Sequence, residues 1–226
     1  MAKETAIARR ERAAKIIAVL GALYPEAHCA LNHRNAFELL VATILSAQCT
    51  DVRVNMVTPE LFKRFPTPEA MAKASQEDIE KLIASTGFFR NKAKAIRSAA
   101  ADIVEKHGGN VPATMEELTH LAGVGRKTAN VVLGNAFGKN VGVVVDTHVG
   151  RLSVRLGLTA HTDPVKVEQD LMKLVPQDHW TLLSHELIFH GRQVCVARKP
   201  RCGECRLLAL CPTGGKLAKE NPAALQ

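Results

Sequence analysis

Leu121-Ala122-Gly123-Val124-Gly125-Arg126-Lys127-Thr128-Ala129-Asn130, with Asp146 nineteen positions after Lys127 in Val145-Asp146-Thr147-His148, is the stretch from which the chain is read outward. Two glycines flank one valine, so the backbone can turn tightly and approach a flat or charged group closely. The small and apolar run from Thr128 to Ala136 has helical character, which sets the Gly-Val-Gly turn at a helix N-terminus. Backbone N–H groups and the positive end of the helix dipole converge there, a ready place for a phosphate. Lys127 falls in the first turn of that helix, and Asp146 follows a short apolar extended run. Taken alone, the turn reads as a phosphate site with a solvated lysine beside it. A lysine and a carboxylate brought to one phosphate-bearing substrate would support covalent amine chemistry instead.

The segments on either side are helical by pattern. Asn35 and Glu38 form a capping box ahead of Phe37, Leu40, Val41, Ile44 and Leu45, a stripe with helical spacing. Ser46-Ala47-Gln48-Cys49 is a polar break before Thr50 or Asp51 caps a short helix. Thr58-Pro59 and Thr67-Pro68 each read as an N-cap followed by proline at the first helical position. Ser75 and Asp78 open a helix that Gly87 stops, and Asn91 to His107 carries Ile96, Ala99, Ile103 and Val104 on one face before Gly108-Gly109. Thr114 and Glu117 make a second capping box, so the helix after it, the Gly-Val-Gly turn and the next helix compose a helix–hairpin–helix. Beyond Asp146, helices are expected over Thr147–Leu156, from Pro164 to Leu174, and after a cap at Asp178, with Trp180, Leu183, Leu187 and Val194 inward. Val141–Val145 alone has strand character and is too short and isolated to build a sheet. The fold class is all-α.

Composition agrees: 46% of the 226 residues are hydrophobic but only 4% aromatic, which favours helices over a β-sandwich. A formal charge of +8 suits a polyanionic partner. No apolar run is long enough to span a membrane, so no membrane partner is expected. The basic Met1–Lys15 ahead of Ile16–Leu23 loosely resembles a secretory signal. Glu4 and Glu11 interrupt its charge, however, and Ala13, Ile16, Ile17, Leu20 and Leu23 follow helical spacing. A retained helix of a cytoplasmic protein is expected, nucleoid-associated in a bacterium.

Four of the six cysteines cluster as Cys195, Cys202, Cys205 and Cys211, spaced C-x6-C-x2-C-x5-C. Four thiolates in one loop can hold zinc or an iron–sulfur cluster, and spacing alone does not choose. Arg198, Lys199, Arg201 and Arg206 are interleaved with them and could face phosphates.

Several motifs in order now carry a resemblance. Leu45-Ser46-Ala47-Gln48-Cys49-Thr50-Asp51, Gly87-Phe88-Phe89-Arg90-Asn91-Lys92-Ala93, the hairpin, Val145-Asp146-Thr147-His148-Val149-Gly150-Arg151 and His190-Gly191-Arg192-Gln193-Val194-Cys195 together resemble the endonuclease III family, from about Ala13 to Cys211. The resemblance implies a bifunctional DNA glycosylase and AP lyase acting on double-stranded DNA that contains oxidised pyrimidines or abasic sites. It implies two helical lobes with the DNA cleft between them: a six-helix lobe over residues 28–140 holding the hairpin, and a discontinuous lobe of residues 1–27 and 141–226. The second lobe would carry a 4Fe-4S cluster on Cys195, Cys202, Cys205 and Cys211, within residues 195–211. A monomer is expected.

Carried over by position, the resemblance makes Lys127 the nucleophile and Asp146 the catalytic carboxylate. Gln48 and Phe88 would fill the gap left by an extruded nucleotide. Gly123, Val124, Gly125 and Arg126 would contact the DNA, as would Thr147 and His148, which orient the Asp146 loop or cap the next helix; for that pair a purely structural role is the alternative. The chain departs from the family pattern at Cys49, where alanine is usual, at Ala122, where proline is usual, and at Phe88, where a smaller aliphatic residue is usual. An alkyl ammonium needs roughly 4–5 kcal/mol of bias to be neutral near pH 7, of which a helix N-terminus supplies about 1–2 kcal/mol. A carboxylate paired with the ammonium works the other way. Asp146 is therefore read as stabiliser of developing positive charge and as proton acceptor. Two other readings compete. A monofunctional glycosylase such as an adenine-mismatch enzyme would lack a lysine at position 127, and a non-catalytic phosphate-binding module would need neither Lys127 nor Asp146.

Overall fold

Side-chain oxygens at Thr5, Asn35, Thr50, Thr67, Ser75, Thr114, Asp146 and Asp163 each accept a backbone N–H three residues on, and each starts a helix of the computed structural model. Such caps satisfy N–H groups that the first helical turn leaves unpaired. The structure describes residues 4–220. The first three and last six residues, included in the expected second lobe, lie outside the described residues.

The chain divides into two compact units, one of them Cys29–Lys139 and the other combining the segments up to His28 and from Asn140 onward. In chain order the helices are α1 (Ala6–Leu23), α2 (Ala36–Leu45), α3 (Asp51–Arg64), α4 (Pro68–Lys73), α5 (Gln76–Ile83), α6 (Phe89–His107), α7 (Met115–His120), α8 (Arg126–Phe137), α9 (Thr147–Arg155), α10 (Pro164–Leu174), α11 (Trp180–Gln193) and α12 (Pro212–Glu220). No strand occurs among the described residues; Val141–Val145 is an extended connection, and the backbone N–H of Val144 donates to the Ser184 hydroxyl at 3.1 Å instead of to a neighbouring strand.

In the Cys29–Lys139 unit α2 is the central rod. The sequence showed one apolar stripe on it, whereas the structure buries every residue from Phe37 to Leu45 because α3, α6 and α8 surround it. Its one acid, Glu38, is buried but takes the Arg34 guanidinium at 2.5 Å and the Arg34 backbone N–H at 2.8 Å, so the charge is paired. The other unit has its own core, in which Ile16 and Leu20 of α1, Leu152 of α9, Leu171 of α10 and Leu183 and Leu187 of α11 are all fully buried.

Four expectations change. Thr58-Pro59 does not start a helix: both lie inside α3, with Thr58 buried. The Thr50 cap already set the helix going, and the local proline signal lost to the packing of Val54, Leu61 and Phe62. Asp178 does not cap α11, since it sits in a 3₁₀ turn (Gln177–His179) and α11 begins at Trp180 without a side-chain cap. The buried face of α11 runs on to His190 and Gly191, while Val194 lies past the helix end and is only half-buried. Finally, α6 begins at Phe89, two residues before Asn91, because Phe88 takes a left-handed conformation and breaks the chain from the preceding turn.

Candidate functional site

The turn between α7 and α8 is closed by the Val124 N–H donating to the Leu121 carbonyl at 3.1 Å. Gly123 has φ +75°, the left-handed conformation that the third residue of a type II turn needs. A side chain there would also collide, because an added Cβ would stand 2.8 Å from Ala95 Cβ on α6. Val124 is buried in the unit's core and anchors the turn, while Gly123, Gly125, Arg126 and Lys127 are exposed. Gly125 is the N-cap of α8 and brings no side-chain oxygen, so no cap competes with a ligand for the N–H groups of the first turn. Lys127 is the second residue of that turn.

Gln48 and Phe88 lie in the same unit, each at the apex of a short turn. Both are exposed and both have left-handed backbone, with φ of 52° and 46°. Non-glycine residues held in this conformation cost on the order of 1–3 kcal/mol and collect at functional sites. The adjoining Phe88-Phe89 pair divides its labour: Phe89 packs against the core, while Phe88 is 64% exposed.

Asp146, on the other unit, is the N-cap of α9 and accepts the Val149 N–H on Oδ1 at 2.8 Å. Neither Thr147 nor His148 makes that cap. Thr147 is exposed and His148 half-buried, its Nδ1 3.2 Å from Nη2 of Arg151. Burial, opposed by Asp146 and aided by Arg151 and Arg192, holds the His148 imidazole below its ordinary pKa. Arg151 also donates to the carbonyls of Gly191 and Cys195, both at 3.1 Å. A Cβ at Gly191 would stand 2.8 Å from the His148 ring nitrogen, so a larger residue there would displace the His148 side chain.

The four clustered cysteines are half-buried free thiols that line one cavity, with His190, Arg155 and Leu208 among its walls. Burial and the charge of neighbouring sulfurs push the Cys202 and Cys205 thiols up, so thiolates are held here only against a cation. Among the described residues no three His, Cys, Asp or Glu side chains stand close enough to share one metal ion. Arg155 stitches the start of the loop to α9, with Nη1 3.3 Å from Cys195 Sγ and 2.8 Å from the Val196 carbonyl, and Nη2 2.7 Å from the Ala197 carbonyl. Buried His190 sits between the Tyr24 hydroxyl, 2.9 Å from Nδ1, and Cys205 Sγ, 3.4 Å from Nε2.

The structure thus groups the expected residues as hairpin plus Gln48 and Phe88 on one unit, and Asp146, Thr147, His148 and the four cysteines on the other. Sequence reasoning missed Lys92, Arg155 and His190. Lys92 did leave a signal, since it occupies the apolar face of α6 with Ala93, Ile96, Ala99, Ala100 and Ile103, where a lysine does not belong without a partner. Arg155 left none.

Comparison with known proteins identifies the family. Residues 41–177 match the family model described as HhH-GPD superfamily base excision DNA repair protein. Endonuclease III of Synechocystis sp. (strain ATCC 27184 / PCC 6803 / Kazusa) is 59% identical over 205 residues, 91% of this chain and 94% of that protein. A solved non-covalent endonuclease III–DNA complex is 44% identical with a TM-score of 0.87, covering 93% of this chain and 98% of that one. A trapped endonuclease III–DNA covalent intermediate is likewise 44% identical, with a TM-score of 0.86 over 92% of this chain and 97% of that one. The chain belongs to the HhH-GPD superfamily of base excision DNA repair proteins and, within it, to the endonuclease III family of bifunctional DNA glycosylases and AP lyases.

Proposed function

We propose that the protein binds double-stranded DNA containing oxidised pyrimidines or abasic sites, and that Lys127 and Asp146 carry the chemistry. The observation behind this reading is the hairpin: an uncapped helix N-terminus with an exposed lysine one residue inside it. Gly123, Val124, Gly125 and Arg126 fix a backbone phosphate, so that the adjacent sugar meets the Lys127 amine from a set direction. Lys127 is exposed, so the protein's own packing does not dehydrate its amine; the bound duplex does.

The damaged nucleotide leaves the stack, and Gln48 and Phe88 occupy the gap. The Lys127 Nζ forms a bond to C1′ while the bond from C1′ to the base breaks, its electron pair and a proton leaving with the base. Sugar ring opening gives an imine between Nζ and C1′. Loss of a C2′ proton then expels the 3′ phosphate by β-elimination, breaking the strand on the 3′ side, and water releases the sugar fragment from Lys127. Asp146 has one oxygen committed to the Val149 N–H and one left to stabilise the positive charge that develops on the sugar and to accept a proton. Thr147 and His148 position that loop on the DNA.

Cys195, Cys202, Cys205 and Cys211 would hold a 4Fe-4S cluster. What supports the reading is membership of the endonuclease III family together with four thiols that line one cavity, a donor set that suits iron–sulfur ligation. When bound, the cluster supplies a cross-link through a loop that has little apolar sequence of its own.

Borohydride reduction in the presence of lesion-bearing duplex should trap a covalent protein–DNA complex and Lys127→Gln should abolish it. Trapping that persists in the variant would remove Lys127 as nucleophile, and no trapping by the unmodified protein would favour a monofunctional or purely binding role.

A further inference from the structure

Lys92 is 5% exposed, one of the few charged side chains buried in the Cys29–Lys139 unit. Its ammonium donates to two backbone carbonyls, Leu45 at 2.8 Å and Thr86 at 2.8 Å. Those carbonyls belong to two segments far apart in sequence. Leu45 ends α2, three residues before Gln48, and Thr86 ends the 3₁₀ turn (Ala84–Thr86) two residues before Phe88. The Lys92 backbone N–H also donates to the Phe88 carbonyl at 3.1 Å. One residue therefore grips the Gly87-Phe88 turn on both sides and reaches across to the turn that presents Gln48. A buried ammonium is costly without partners, and burial does hold this one below the ordinary lysine pKa, with Cys49 opposing. Core packing alone would be served better by leucine or methionine. What Lys92 adds is a fixed link between two strained turns.

We propose that Lys92 is a positioning residue that makes Gln48 and Phe88 act as one rigid pair during nucleotide extrusion. The inference rests on the proposed role of Gln48 and Phe88 in filling the vacated stack. Two separate turns in left-handed conformation would each drift on the timescale of loop motion. With their carbonyls held by one ammonium, both side chains enter the duplex in register, so the ordering cost is met before DNA arrives.

The test compares single-turnover base release from one oxidised pyrimidine in two settings: paired in duplex, and in a one-nucleotide bulge where extrusion costs little. Phe88→Ala and Gln48→Ala should each lower the paired-to-bulged rate ratio, and the double variant should show that their effects are coupled. Lys92→Met, which keeps the stem and removes the donors, should lower the ratio about tenfold to a hundredfold and abolish that coupling. Undiminished coupling in Lys92→Met overturns the clamp while leaving the insertion reading standing. An unchanged ratio in both Phe88→Ala and Gln48→Ala overturns the insertion reading and the clamp together. Equal slowing of paired and bulged substrates by Lys92→Met, alongside a lowered melting temperature, makes Lys92 merely structural. Should the methionine variant fail to fold, Lys92→Gln can reach one carbonyl but not both and should lower the ratio in the same sense; an unchanged ratio there overturns the proposal.

Discussion

The Nη1 of Arg155 lies 3.3 Å from the sulfur of Cys195, and the same guanidinium takes the carbonyls of Val196 and Ala197. Arg155 is the last residue of α9, and the N-cap of that helix is Asp146. Nine helical residues thus connect the proposed catalytic carboxylate to the thiol loop. Arg12 of α1 secures this end further by donating to the carbonyls of Leu156 at 2.5 Å and Gly157 at 3.1 Å. Helix α9 is thus the structural link between Asp146 and the loop.

Purified protein should accordingly contain about four iron and four sulfide per chain, the composition of a 4Fe-4S centre. One zinc per chain instead would refute the cluster. Arg155→Met should bleach faster than the unmodified protein under a chelator. Hydrogen exchange should also rise along α9 once iron is lost; unaltered exchange there would show that the helix does not depend on the loop.

Asp146 does two jobs that substitution can separate. Asparagine caps a helix as well as aspartate does, whereas alanine loses the cap at about 1 kcal/mol. Asp146→Asn should keep its melting temperature and lose base release by about a hundredfold or more, and Asp146→Ala should lose both. If the asparagine variant stays active, the carboxylate is only a cap.

The hairpin turn makes opposite demands on neighbouring residues. Leu121, at φ −71° and ψ 142°, already has the extended backbone that a following proline imposes. Ala122 is the second residue of a type II turn, where proline is favoured. Ala122→Pro should raise stability by about 0.4–1 kcal/mol through the unfolded chain. Gly123→Ala meets both a left-handed φ and Ala95 Cβ at 2.8 Å, so it should cost at least about 1–2 kcal/mol and weaken duplex binding. Thermal melts with and without DNA would read both, and a stable Gly123→Ala would disprove the turn geometry.

Burial, with His28 adding to it, pushes the His185 imidazole down to about 4 from 6.5. Between those values the unfolded chain takes up a proton that the native state refuses. Stability is therefore full above about pH 6.5, falls as pH drops, and levels out below about 4, a loss of roughly 3 kcal/mol from this residue. His185→Gln should flatten the pH dependence of the melting temperature across that window. A slope as steep as before would assign the acid sensitivity to other groups.

Much of the molecule was legible in the chain itself. The caps at Asn35, Thr67, Ser75 and Thr114 start helices where the pattern said they would, because an N-cap is a local hydrogen bond between residues three apart. The Gly-Val-Gly turn, the placement of Lys127 in the first turn of its helix and the grouping of four cysteines around one cavity followed from spacing for the same reason. Tertiary structure decided what local signals could not: that Thr58-Pro59 is swallowed by α3, that α2 is buried on all sides, and that Phe88 rather than Phe89 is exposed. It alone brought the Lys92 ammonium to the Leu45 carbonyl, 47 residues away. It also brought Arg155 to Cys195, 40 residues away. A sequence fixes interactions within a turn or two of backbone, where few conformations compete. Which carbonyl a buried ammonium reaches depends on how whole helices pack, and that packing is a property of the folded unit.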